Sequence, residues 1–238
     1  MAIANSITFN GINSLEYNLY ISGDKAFNSA EKDYEKVSIP GRNGDFFLFN
    51  NRYRNVTRSY SAILFGRQDR EYRLLARDIK AWLLSANGYC ILEDSYNPDE
   101  YCYAQFLGPI DLDTRLLQAA ELTLQFDCRP ERFLKSGNEV TEVTSSTTIE
   151  NPTLFTSKPL LKVYGTGNFL MNDISVTINE SEDYLYIDSD IESIYKNDIL
   201  FNNNVTIGDF PVLKPGENII TLNEDITKID IIPRWYTL

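Results

Sequence analysis

Apolar residues recur at every second position over much of the chain. Leu15, Tyr17, Leu19 and Ile21 alternate with polar neighbours, and so do Leu122, Leu124 and Phe126 ahead of Cys128. Period two places such residues on one face of a pleated strand. Ile3, Ile7 and Phe9 open the pattern, and strands are expected at 15–22, 56–65, 89–95, 101–108 and 116–128. The run FFLFNNRYRN (46–55) also reads as strand. The later part of 56–65 is apolar on both faces, which predicts a place between layers. The stretch GDKAFNSAEKDYEK (23–36) reads as a polar connection. One segment departs from period two. Within 68–88, Tyr72, Leu75, Ile79, Trp82, Leu83 and Ala86 fall at helical spacing, with Arg70, Arg73, Arg77 and Lys80 on much of the other side. A single apolar stripe predicts a helix packed on a sheet, and Asn87-Gly88 is a suitable stop.

A polar, Ser/Thr-rich stretch at 135–151 predicts a boundary. It divides the chain into an N-terminal domain (1–134), a linker (135–151), part of which also reads as an edge strand, and a C-terminal domain (152–238). Beyond it, KPLLKVYGTGNF, DISVTINE, DYLYIDSD, DILFNNN, NIITLNE and DITKIDIIPRWYTL contain short strands separated by Gly, Asn, Asp and Pro. Six or seven short strands in about 90 residues predict a β-sandwich or barrel. The expected fold class is therefore mainly β, with one α-helix in the first domain.

Charge and composition narrow the function. The formal net charge is −12, so direct binding to nucleic acid or to an anionic membrane surface is not expected. No apolar run reaches the roughly 20 residues of a spanning helix. MAIANSITFNGIN has neither a basic stretch nor a long apolar core, so no signal peptide is expected, and the chain reads as made in a cytoplasm. Three cysteines, Cys90, Cys102 and Cys128, do not suit a disulfide framework, and Cys128 is expected to be a buried apolar residue. There is no histidine. That removes Ser-His-Asp and Cys-His catalysis, HExxH zinc sites and other His-ligated metals; an enzyme without histidine has to use carboxylates, Lys, Tyr or a bound metal, and no cofactor or metal site is expected from the motifs.

The candidate chemistry is thin. SIPGRNGDFFLF (38–49) holds Pro40-Gly41 and Asn43-Gly44 but lacks the Lys-Ser/Thr pair and following helix of a phosphate loop. Asn-Gly between strand-like runs signals a hairpin. Arg42 and Asp45 then either pair within the turn or reach a neighbouring subunit. GTGNFL (165–170) reads as a turn. Asp188, Asp190 and Glu192 in IDSDIE fit a solvated acidic face better than a cation site. Nothing in the spacing selects Asp94, Asp99, Glu100, Asp111 or Asp113 as a glycosidase pair. Trp235 and Tyr236, beside Tyr164, Tyr184 and Tyr186, raise a sugar-stacking alternative against packing in the core.

Taken in order, SITFNGINSLEYNLYI, IPGRNGDF, the single amphipathic helix and LTLQFDCRPERF resemble the N-terminal domain of phage distal tail (Dit) proteins. NPTLFTSKPLLKVYGTGNF, LYIDSDIESIY and GDFPVLKPGENII resemble their C-terminal galectin-like β-sandwich. The family belongs to long, non-contractile tails of phages and prophages of Gram-positive bacteria. The resemblance covers nearly the whole chain. It implies a hexameric ring formed by the N-terminal, β-sandwich-like domains around a channel through which DNA passes, with the galectin-like domains projecting outward. It also implies an assembly hub, not an enzyme, that joins the tail tube protein to a tail-associated or tip protein and a receptor-binding protein. The place implied is the distal end of the virion tail, assembled in the bacterial host cytoplasm. Two other readings stand beside it: a carbohydrate-binding module, and a different tube or baseplate component of a phage-like injection particle.

Overall fold

The structure is a computed structural model that describes residues 4–23, 28–66, 69–110, 113–116, 119–181, 183–197, 199–223 and 225–238, with backbone alone at 69–71 and 113–116. The chain divides into two compact units, Met1–Arg132 with Leu238, and Phe133–Thr237.

The first unit runs β1 (Ile7–Phe9), β2 (Ile12–Asn13), β3 (Leu19–Ser22), β4 (Lys32–Val37), β5 (Phe46–Tyr53), β6 (Val56–Phe65), α1 (Asp69–Leu84), β7 (Cys90–Asp94), β8 (Glu100–Phe106), β9 (Asp113–Leu116) and β10 (Ala119–Cys128). Its antiparallel sheet has the order β2-β1-β7-β8-β10-β6-β3, with β9 added beside β10. The spine is β6 against β10, paired without a break from Phe65↔Ala119 to Val56↔Cys128. Alternation sends Leu122, Leu124, Phe126 and Cys128 inward, together with Tyr60, Ala62 and Leu64. Each large side chain so buried is worth about 1.5–3 kcal/mol.

As expected, α1 lays its stripe on this sheet. Tyr72, Ile79, Trp82 and Leu83 are buried among the strands' side chains, and the Trp82 indole donates to the Phe9 carbonyl at 2.9 Å. Strand β6 is not apolar on two buried faces, as 56–65 predicted. Phe65 is exposed on the face away from the core, where its ring meets Tyr20 edge-on at 5.4 Å. Strand β4 also falls inside the stretch expected to be a polar connection. Lys32, Tyr34 and Lys36 alternate there with Asp33 and Glu35, and cross-strand pairing with β5 holds the strand.

The second unit comprises β11 (Arg132–Leu134), β12 (Thr141–Val143), β13 (Thr147–Asn151), β14 (Leu160–Gly165), β15 (Gly167–Met171), β16 (Ile174–Ile178), β17 (Tyr184–Asp188), β18 (Ser193–Lys196), β19 (Ile199–Leu200), β20 (Val205–Ile207), β21 (Gly216–Leu222), β22 (Ile226–Ile232) and β23 (Tyr236–Thr237). Two antiparallel sheets form the expected sandwich, ordered β12-β22-β14-β17-β18-β19 and β13-β21-β15-β16-β20. Leu161, Val163, Leu185 and Ile229 of one sheet and Phe169, Met171, Val176 and Ile220 of the other fill the space between them.

The stretch 135–151, expected as a linker, is built into this sandwich. It begins with a 3-10 turn at Lys135–Asn138 and then supplies β12 to one sheet and β13 to the other. Val143 and Ile149 anchor these polar edge strands in the core. At an edge, one apolar side chain per strand is enough, because the other face remains in water.

Candidate interaction surface

Among the described residues, strands β4 and β5 pair only with each other, and form a hairpin off the main sheet. The pairing closes at Val37↔Phe46, so residues 38–45 make the tip. The tight turn lies at Pro40-Gly41. The Arg42 amide donates to the Ile39 carbonyl at 3.2 Å, and Gly41 sits at φ +81°. Proline followed by a positive-φ glycine is the chemistry of a type II turn. Asn43-Gly44 therefore is not the two-residue turn its sequence signals: only Gly44 takes a positive φ, whereas a type I′ turn needs both.

At the root, Asp33 is almost fully buried and accepts from Arg52 Nε at 2.6 Å and Arg54 Nε at 3.1 Å. These hydrogen bonds, Arg52's first, hold its carboxyl below the ordinary carboxylate value.

The hairpin exposes apolar groups on both faces. Phe47 and Phe49 share one face with Tyr34, whose ring is 5.3 Å from Phe47 and 6.0 Å from Phe49. Lys32 and Lys36 lie over these phenyl rings at 5.8 and 5.4 Å. Val37, Phe46 and Leu48 share the other face. Phe46, Phe47, Leu48 and Phe49 are 49, 40, 45 and 56% exposed. A two-stranded ribbon is marginal in water by itself, and a contiguous apolar patch of this kind marks a contact surface.

Of the two residues expected to matter here, Asp45 faces Lys36 at 4.0 Å, an exposed pair of small energetic weight. Arg42 is exposed and has no acidic partner among the described residues; the two do not pair within the turn. Sequence reasoning placed weight on these charges and passed over the four apolar residues beside them. The signal was present in FFLF itself, since a strand apolar on both faces must be covered on both.

The remaining candidates resolve otherwise. Trp235 is 5% exposed, inside the sandwich core, so its ring is not open to a sugar. Tyr236 is half-buried and stacks on Phe155 at 5.5 Å, and the two do not make a platform. Asp188 ends β17 and is no part of a solvated acidic face. It is buried and accepts from both terminal nitrogens of Arg234 at 2.6 and 2.9 Å. Asp190 and Glu192 lie in the turn beyond and do not extend its strand. No group of three or more His, Cys, Asp or Glu suited to a metal occurs among the described residues.

Asp94 accepts from the Tyr60 hydroxyl at 3.0 Å, and Glu100 faces Arg132 at 3.6 Å. Asp111 and the Asp113 side chain lie outside the described residues. Cys128 is fully buried, as expected, and Cys102 beside it accepts from Arg58 Nη1 at 3.1 Å. The hydrogen bond to Cys102, with burial, pushes the Cys128 thiol well up, away from reactivity. No described helix is long and apolar enough to cross a membrane.

The fold of this chain has counterparts among solved phage tail and baseplate structures. Over 99% of this chain and 100% of the other, the fold matches that of Dit from phage SPP1, with a TM-score of 0.77 at 16% identity. That protein is described as a paradigm of the hub of the adsorption apparatus in phages infecting Gram-positive bacteria. Two structures of the phage p2 baseplate in its activated conformation, with Ca and with Sr, match at a TM-score of 0.51 and 9% identity. They cover 97% of this chain and 98% of that chain with Ca, and 96% of each with Sr. No protein-family model matches the chain, and no curated protein matches it in sequence. At these identities the likeness establishes the fold, and it does so along the whole chain.

Proposed function

We propose that this chain is a structural component of a phage tail, a hub at the distal end whose copies close into a ring, and that it catalyses no reaction. Six copies surround a channel, and the ring joins the tail tube to the tip or baseplate and its receptor-binding protein. The observation that carries this reading is the β4–β5 hairpin. It exposes apolar side chains on two faces in a fold whose counterparts belong to tail assemblies. In a closed ring the contact is heterologous, so the hairpin of each copy packs against a different patch on the next. A stable contact of this kind buries more than about 1,000 Å². Arg42 and Asp45, at the tip, form part of its polar rim.

Substitution of the hairpin tests the reading. Phe47→Asp with Leu48→Asp puts a charge on each face and is expected to leave the fold intact and the copies separate by sedimentation. Arg42→Glu is expected to weaken the assembly more mildly, as a rim charge does. Intact rings from the double variant would overturn the proposal.

A further inference from the structure

The face of the first unit's sheet turned away from α1 changes character along β6 and β10. Over most of these two strands it is polar, with Thr57, Ser59 and Ser61 on β6 and Thr123 and Gln125 on β10. At the end where β3 joins, it becomes apolar. Register places Tyr20, Ile63 and Glu121 in one row across β3, β6 and β10, and Phe65 opposite Ala119 in the next row of that face. The alternate residues Leu19, Ile21, Ala62, Leu64, Ala120 and Leu122 are buried, so this second set points outward. Phe65 is 45% exposed, and its ring is held edge-on by Tyr20 at 5.4 Å. A fixed aromatic pair at the end of an otherwise hydroxyl-rich face is the composition of a contact surface.

Charge narrows what covers it. The two faces of the β4–β5 hairpin are chemically unlike. Lys32, Tyr34, Lys36, Phe47 and Phe49 share one, with both ammonium groups over the phenyl rings. Glu35, Val37, Phe46 and Leu48 share the other. The first face is aromatic and cationic. The patch at Tyr20, Ile63 and Phe65 is apolar and bordered by the exposed carboxylate of Glu121, so it complements that face in both respects. The other exposed apolar positions of the first unit match it less well. Leu74 and Leu84 of α1 stand among Arg73, Arg77 and Lys80, which repel a cationic partner. Tyr89 and Tyr103, beside Ile91, already carry the Arg129 guanidinium over their rings at 4.8 and 5.5 Å.

We propose that Tyr20, Ile63, Phe65 and Glu121 form the seat for the hairpin of a second copy, which lays its Lys32, Lys36, Phe47 and Phe49 face on them. The seat rests on the ring reading and names the patch that the hairpin meets. The test is sedimentation velocity of the full chain and its variants over a range of concentrations. Phe65→Asp, Glu121→Lys and Lys36→Glu are each expected to raise the dissociation constant at least about tenfold. Lys36→Glu combined with Glu121→Lys is expected to recover most of that loss, because the exchanged charges attract again. Gln125→Lys, on the polar part of the same face, is expected to leave association unchanged. Thermal melting checks the fold of each variant, and the exposed Glu121 position reads the seat should Phe65→Asp melt early. Association lost in Phe47→Asp with Leu48→Asp but unchanged in Phe65→Asp and Glu121→Lys would overturn the seat and leave the ring reading standing. Single and combined charge reversals that simply add would also overturn it. A parent chain that stays single at every concentration would overturn both.

Discussion

Asp188 and Arg234 show how much one residue can decide in this chain. Burial works to raise the Asp188 carboxyl, but the hydrogen bonds from Arg234 and from the Asp190 amide outweigh it, and the value falls below the ordinary 3.8. A lowered folded-state value means that the pair's contribution is complete above the unfolded value and is lost as pH falls through the folded one. Thermal unfolding of the second unit is therefore expected to be flat through neutral pH and to lose this contribution below about pH 3.8. Asp188→Ala is expected to cost about 3 kcal/mol at neutral pH, since it strands a half-buried guanidinium, and to abolish that acid step.

Gly165 gives a second residue-scale expectation. Its φ is +102°, and a Cβ there would collide with the Asp225 carbonyl oxygen. Gly165→Ala is expected to destabilise by about 2 kcal/mol or more in denaturant unfolding. At this scale the sequence was readable where period two continued, as at Cys128. At Trp235 the favoured reading, packing in the core, agrees with the buried indole, although Arg234 at φ +57° takes the chain out of simple alternation just before it.

Elements were more legible than their surroundings. The stripe of α1 and the alternation of β10 appear in the sequence because each faces a single core. Strand β4 was hidden and β12 and β13 showed only as a polar stretch with room for an edge strand, since edge and ribbon strands carry charges or hydroxyls on most positions and depend on a partner strand for their identity. The hairpin illustrates the difference between reading an element and reading its environment: FFLF was recognisable as strand, whereas its exposure shows in the structure, where no layer covers β4 and β5 among the described residues. The Phe47→Asp, Leu48→Asp variant separates these questions. Its melting temperature is expected to stay within about 2 °C of the parent, because neither side chain belongs to either core, while its assembly fails.

At the scale of the whole molecule, the mainly β class, the single helix and the sandwich of the second unit followed from periodicity. The resemblance read from ordered segments is matched by a fold shared with SPP1 Dit along the whole chain. The arrangement of copies does not follow from one chain's periodicity, since a ring is specified by surfaces that pair only in the assembly. The net charge of −12 acts at this scale too. On the proposed reading, a channel built from an acidic chain lets DNA slide without holding it, so no retardation of duplex DNA is expected in a gel-shift assay at physiological salt, for the separate chain or for the proposed ring. A retarded complex would place a basic surface where the account has none.

The central claim is that copies of this chain associate through the hairpin into a closed ring. The most direct measurement is light scattering after size-exclusion chromatography, over a range of concentrations. A single chain weighs 27.3 kDa. The account predicts a discrete species of about 164 kDa, six chains, that persists on dilution. A 27.3 kDa species at every concentration would contradict it.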